Sequence, residues 1–356
     1  MTARRRRSSL RRGDREPPPA AAQRPRLPYP NGWFAVAFAD EIEAGQVRRT
    51  RFMGEDLVVY RTESGTLCVV DPYCPHLGAH LGYGGEIEGE RIVCPFHRFA
   101  FDTSGACVRT GYGSRARDAR LSRWHSREVN GAIVVWRHAA GTEPDWELPV
   151  LPTAGFPRSA RRAYTIVDHP QEIAENAVDI GHIGPIHHYR NVRVRRPLAV
   201  DGPRFTIGPA AERVLPGLGA FDVEFDVEAH GLGYICVTAR IPRLRAAALF
   251  QAMATPIDPL RVELRFTVSI RVGSHAGSPL LSRALTVGLA RAFWADLTLD
   301  FPIWEHKVLV ERPRLAQGDG PVVPFRRWAR QFYSEPVPEY GGAVDGAARP
   351  LRRGVG

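Results

Sequence analysis

The sequence predicts an α+β protein: a small antiparallel β domain, then a longer antiparallel sheet with helices packed on it. Three observations predict this. Between residues 32 and 136, short runs rich in β-branched and aromatic residues alternate with Gly-containing turns. Apolar residues recur at helical spacing over 171–183 and again over 282–299. Between those two stretches the chain returns to strand-like runs, and it has the length for two cores.

Residues 1–28 are read as a disordered Arg/Pro-rich tail. Residues 1–26 hold nine arginines against Asp14 and Glu16, so most of the formal charge of +10 belongs to the tail and not to a folded face. No nucleic-acid partner is therefore expected. Arg6-Arg7-Ser8-Ser9-Leu10 is followed by no apolar stretch, so secretion is not expected. No apolar run approaches the ~20 residues of a membrane span. The expected location is cytoplasmic, with a peripheral position at a membrane left open.

The first domain spans 29–138, with strands at 33–38, 47–52, 57–61, 67–70, 99–102 and 132–136. Glu63-Ser64-Gly65 and Thr103-Ser104-Gly105 read as hairpin turns. A Gly/Pro-containing linker covers 139–160. The second domain spans 161–335, with strands at 163–167, 204–207, 221–227, 234–239, 247–252 and 262–272 and the two helices named above. Residues 336–356 read as a flexible C-terminal tail. Of the five cysteines, Cys68, Cys107 and Cys236 sit in strand-like runs and read as small buried hydrophobes.

The remaining two cysteines carry the chemistry. Cys74-Pro75-His76 and Cys94-Pro95-Phe96-His97 each supply one thiolate and one imidazole from a short loop. Two thiolates and two imidazoles on a [2Fe–2S] cluster make the Rieske arrangement, a one-electron carrier. A structural Cys2His2 zinc site is the competing reading, although zinc knuckles usually pair Cys with Cys and His with His. Gly82, Gly84 and Gly85 lie between the ligand loops, not between a strand and a helix. They make no dinucleotide site.

A second polar constellation lies at Glu175-Asn176-x-x-Asp179-x-x-His182, followed by His187 and His188. If 171–183 is one helix, Asn176, Asp179 and His182 share a face of an otherwise apolar element. Buried polar groups need partners, and a metal would supply one. A 2-His-1-carboxylate triad leaves positions on Fe(II) open for oxygen. The carboxylate is sought between Asp296 and Asp300; Asp300, before Phe301-Pro302, would otherwise read as a helix N-cap.

These motifs resemble the Rieske non-haem iron oxygenases. Pro30-Asn31-Gly32-Trp33-Phe34, Glu172-Ile173-Ala174-Glu175-Asn176 and Gly318-Asp319-Gly320-Pro321 look like Neverland-type cholesterol 7-desaturases and bacterial 3-ketosteroid 9α-hydroxylases. The resemblance implies a Rieske domain followed by a helix-grip catalytic domain, an antiparallel sheet with a long C-terminal helix. Cys74 and Cys94 would bind one iron of the cluster, and His76 and His97 the other. Ala79 and Phe96 stand where respiratory relatives carry a disulfide. His182, His187 and Asp300 would bind a mononuclear iron, with Asn176 beside it. Asp179 would hydrogen-bond His182 and a Rieske histidine of the next copy in a homotrimer. O2 would be the co-substrate, and NAD(P)H would act only through a separate ferredoxin or flavin reductase. The implied activity is desaturation or hydroxylation of an apolar, sterol- or steroid-like substrate. A Rieske electron-transfer protein without oxygenase chemistry is the alternative of another class. Leu249, Phe250 and Met253 are candidates for an apolar pocket wall, or for core.

Overall fold

The computed structural model describes residues 27–337 apart from 115, 117, 216–218 and 274–278, so the two tail readings lie outside the described residues. The first half is all β: β1 (Gly32–Phe38), β2 (Val47–Phe52), β3 (Glu55–Arg61), β4 (Leu67–Val70), β5 (Glu86–Glu88), β6 (Arg91–Val93), β7 (Ala100–Asp102), β8 (Cys107–Arg109), β9 (Ser126–Val129) and β10 (Ala132–Arg137). They form three antiparallel sheets, β1-β10-β9, β2-β3-β4 and β5-β6-β7-β8. β5, β6 and β8 have three residues each, too few to show a period in the sequence. Cys68 and Cys236 are buried as expected. Cys107, on the edge strand β8, is instead half-buried.

The second half holds β11 (Ala160–Val167), α1 (Pro170–Asn176), β12 (Arg190–Asp201), β13 (Arg204–Leu215), β14 (Gly219–His230), β15 (Tyr234–Ile241), β16 (Ala246–Pro256), β17 (Arg261–Val272), α2 (Pro279–Leu297), α3 (Phe301–His306) and α4 (Val322–Ala329). One seven-stranded antiparallel sheet runs β11-β17-β16-β15-β14-β13-β12. The fold is α+β. Its long helix, α2, has 19 residues and is followed by two short ones. β12 was not legible because it is an exposed edge strand, with arginines where a half-buried strand would alternate.

One expectation needs correction. The helix predicted over 171–183 ends at Asn176; a turn follows, then a single 3-10 turn at Gly181–Ile183. The Gly318-Asp319-Gly320 segment explains why. Gly320 has φ +81°, and a Cβ there would lie 2.3 Å from the Val178 carbonyl oxygen and 3.0 Å from Ile180 N. Only glycine lets this backbone approach the unwound stretch so closely. Asn176, Asp179 and His182 therefore do not share one helix face.

The two halves pack through the β1-β10-β9 sheet. Trp33, Val134 and Trp136 meet Tyr234, Leu249 and Met253 on the back of β15 and β16. Each such buried side chain contributes about 1.5–3 kcal/mol. Leu249 and Met253 thus belong to the core between the halves, while Phe250, one step along the strand, points to the opposite side. Buried Arg265 donates to the Ala35 and Val36 carbonyls at 2.7 and 2.8 Å and to Glu263 at 2.8 Å, so its charge is not left unpaired.

Candidate metal centres

The two ligand loops are built alike. Cys74 N donates to Ala79 O and Gly78 N to Cys74 O; Cys94 N donates to Phe99 O and Arg98 N to Cys94 O, all between 2.8 and 3.1 Å. Each loop turns at a left-handed residue four beyond its cysteine, Gly78 and Arg98. The result is a pair of rigid hairpin tips facing each other. Cys74 and Cys94 are both buried. Burial pushes the Cys74 thiol up to about 11, so a bound cation is needed to hold it as thiolate at neutral pH. The His76 and His97 rings are 4.7 Å apart. His97 Nδ1 is buried and has no hydrogen-bond partner among the described residues. An orphaned imidazole nitrogen beside two buried thiols fits a cluster ligated by two cysteines and two histidines.

The second centre is assembled from distant segments. One donor atom each from His182, His187 and Asp300 lie within 4.8 Å of one another. His187 Nε2 is 3.4 Å from Asp300 Oδ2. His188, the local competitor, is exposed and turned away by a left-handed backbone. Asp300 does occupy the N-cap position of α3, but its side chain makes no cap; its main-chain carbonyl starts the helix, receiving Ile303 N and Trp304 N at 3.0 Å. The carboxylate is thereby free to face the histidines, and the two readings of Asp300 coexist.

The surrounding groups fix the imidazoles. His182 Nδ1 donates a short hydrogen bond to the Asp179 carbonyl oxygen, which leaves Nε2 as the free donor atom. The Asp179 carboxylate is 3.8 Å from the same nitrogen, so the main chain, and not the side chain, is the acceptor. Burial raises the Asp179 carboxyl and lowers His182. Asn176 Nδ2 lies 3.2 Å from His182 Nε2 and donates to Asp300 Oδ2 at 3.3 Å.

Two contacts of this centre were not found by sequence reasoning. Asp296 Oδ2 lies 3.5 Å from His187 Nδ1, an ionic contact, and Arg213 Nη2 lies 3.3 Å from Asp296 Oδ1. Burial lowers His187, but the hydrogen bonding and charge of Asp296 and Asp300 outweigh it and push the imidazole up to about 9. Asp296 was weighed against Asp300 as the third ligand; its contacts to His187 and Arg213 were not foreseen. No local pattern marks the one to His187, since Asp296 closes α2 and Asp300 opens α3, with a break between them. Arg213 lies past the strand end predicted at 207, and nothing in its local sequence marks it.

A cavity of about 300 Å³ opens on this centre, within the usual range for small-molecule sites. Its walls are apolar, among them Ile173, Phe225, Val237, Phe250, Ile270 and Phe293. The polar lining groups are Asn176, Tyr189, Arg213 and the His182, His187, Asp296 and Asp300 side chains. Their mutual contacts join them into one cluster at one end of the cavity, and the Trp304 indole adds a further N–H to the lining.

Known proteins share both halves of this architecture. The family model of the Rieske [2Fe-2S] domain matches residues 32–118, and that of the 3-ketosteroid 9alpha-hydroxylase C-terminal domain matches 135–333. The chain is 31% identical to cholesterol 7-desaturase nvd of Drosophila melanogaster, over 89% of this chain and 78% of that one. It is 28% identical to a probable 3-ketosteroid-9-alpha-monooxygenase oxygenase component of Rhodococcus rhodochrous, over 86% and 80%. Among solved structures, dicamba monooxygenase bound to dicamba superposes with a TM-score of 0.65 at 18% identity, covering 85% of this chain and 96% of that one. A Rieske domain joined to such a catalytic domain defines the terminal oxygenase of a two-centre electron-transfer enzyme. The chain belongs to the Rieske oxygenase family that carries the 3-ketosteroid 9α-hydroxylase C-terminal domain. Its cofactors are a [2Fe–2S] cluster and a mononuclear non-haem iron, and its family works as a multimer with a separate reductase or ferredoxin.

Proposed function

We propose that this oxygenase desaturates or hydroxylates a sterol- or steroid-like substrate bound in the apolar cavity. The observation that carries the reading is the cavity itself: apolar except at the end where His182, His187 and Asp300 converge. Relatives named for cholesterol and 3-ketosteroid chemistry support the same class.

In this reading Cys74, His76, Cys94 and His97 hold the cluster, and His182, His187 and Asp300 hold the iron. With electrons and O2, the iron centre supplies the oxidising power to attack an unactivated C–H bond. The protein's own residues do the rest. The apolar walls exclude water and bind the substrate by its hydrocarbon surface. Asn176, between His182 and Asp300, fixes both side chains and offers a polar edge to the substrate. The Asp179 carbonyl and the Asp296 carboxylate set the orientation of the two imidazoles. We assign the Asp179 carboxylate to the electron path between copies. It is half-exposed beside a surface depression lined by Ile180, Gly184, Val194 and Gly320, room for the cluster tip of a neighbour in a homotrimer. The proposed location is cytoplasmic.

The test is product analysis of the purified protein, supplied with a reductase and NAD(P)H, against a panel of sterols and 3-ketosteroids. Conversion of at least one is expected. An alkene product assigns the desaturase branch and an alcohol the hydroxylase branch; no conversion of any overturns the substrate class.

A further inference from the structure

α2 has two unlike faces. Leu289, Phe293 and Leu297 line the cavity. On the other side, every exposed position described between residues 280 and 295 is Leu, Val, Ala, Gly or Arg. Leu280 is 80% exposed and Val287 46%. A solvent-facing helix face ordinarily carries mixed charges and polar groups. Here the only charges are Arg283 and Arg291.

The neighbourhood has the same bias. No Asp or Glu occurs between Glu263 and Asp296, or between Glu228 and Asp258. The turn joining β15 to β16 adds exposed Arg243 and Arg245. Gly273 N donates to Arg245 O at 3.0 Å, which sets this turn beside the end of β17 from which the chain runs to α2. Arg243 stacks 5.1 Å over Phe221, a cavity wall residue. None of Arg243, Arg245, Arg283 and Arg291 has a carboxylate partner among the described residues. The arginines of β12 and β13 differ: Arg193, Arg195, Arg196 and Arg204 all pair with Asp222, Asp226 or Glu228.

We infer that the outer face of α2 and the β15–β16 turn form a docking surface for an anionic lipid bilayer, with the cavity wall lying directly behind it. The helix is apolar on both faces, with arginines set among the outer apolar residues; seated on a bilayer, its Leu280 and Val287 would enter the acyl boundary while the arginines reach the headgroups. A second copy docked by the same face would set arginine against arginine, and the β14 carboxylates that could complement it are already paired. No helix among the described residues is long and apolar enough to cross a membrane, so the contact is a surface one. The inference rests on the proposed apolar substrate: such a molecule partitions into lipid, and an enzyme seated there meets it without passage through water.

The full chain with its metals is sedimented with phosphatidylcholine vesicles, with and without phosphatidylglycerol, at low and high salt. Binding is expected only with phosphatidylglycerol and weakened by salt. Arg283→Glu/Arg291→Glu and Leu280→Ser/Val287→Ser should each lower the partition coefficient at least about tenfold, with cluster absorbance confirming the fold. No binding by the unaltered chain overturns the inference. So does binding that both variants retain, which would assign attachment to the arginines of residues 1–26. A change in oligomeric mass in the variants without a change in vesicle binding would make the face a contact between copies, also overturning it. Turnover of detergent-dispersed substrate without vesicles reports separately on the proposed function.

Discussion

The two metal centres are built by opposite strategies. The cluster loops are local: Cys74 to His97 covers 24 consecutive positions, and each loop is a closed hairpin tip with its own hydrogen bonds. The iron centre gathers His182 and His187 from an unwound stretch, Asp300 from the start of α3, Asp296 from α2 and Arg213 from β13. A local site survives damage elsewhere in the fold. An assembled site depends on every segment that holds its parts in register. Disturbing the sheet or α1 should therefore empty the iron centre before the cluster.

The largest effects are expected at the proposed ligands. Asp300→Ala should reduce iron from about three to about two atoms per chain while leaving the cluster spectrum intact. Cys94→Ser should do the converse, losing the visible chromophore. Metal analysis with absorbance reads both. If Asp300→Ala also bleaches the cluster, the two centres are not independent and the comparison fails.

That contrast also decides what was legible. The Cys/His loops could be read because all their determinants lie within a few residues. His182 and His187 stand out by motif spacing, although the helix predicted to carry His182 ends early: the chain unwinds after Asn176, where Gly320 meets the Val178 carbonyl from 142 positions away. Most of the longer strands, and β7, showed in the sequence; β5, β6, β8, β9 and the edge strand β12 did not. The contacts of Asp296 and Arg213 with His187 and with each other are tertiary, so no local pattern could expose those roles.

Next in size are two residues that anchor α1. Buried Glu175 receives a two-pronged ion pair from Arg326 of α4, with Nη2 to Oε1 at 2.8 Å. Glu175→Gln leaves the guanidinium under-compensated and should destabilise the protein by about 3–5 kcal/mol, read by thermal melting. His169 caps α1 by accepting Gln171 N at 3.2 Å, while its Nε2–H donates to Pro28 O. Burial lowers this imidazole to about 4, against 6.5 in an unfolded chain. Between those values the unfolded chain takes up a proton that the folded one refuses. The stability contributed above pH 6.5 is lost as pH falls toward 4, by about 3 kcal/mol in all. His169→Asn keeps a cap without titrating, so the difference between the two melting curves should shrink across that window. A constant difference would mean that His169 is not held neutral.

The smallest expected effect tests the comparison most closely, because it alters no proposed ligand, only the contacts behind one. Asp296 stands behind His187 Nδ1, and Arg213 stands behind Asp296. A carboxylate in that position orients the imidazole and strengthens it as a donor; its loss typically weakens metal binding by about 10–100-fold. Asp296→Asn should fall in that range, and Arg213→Met toward its lower end, since the carboxylate would remain but be less firmly placed. Iron titration of the demetallated centre reads the affinity, with the cluster absorbance as internal control. Among the described residues no carboxylate or guanidinium contacts the His76 or His97 ring, so substitutions equally far from them should leave the cluster spectrum unchanged. Unchanged iron affinity in both variants would mean that the 3.5 Å contact to His187 positions nothing, and that the iron centre is more nearly local than its construction suggests.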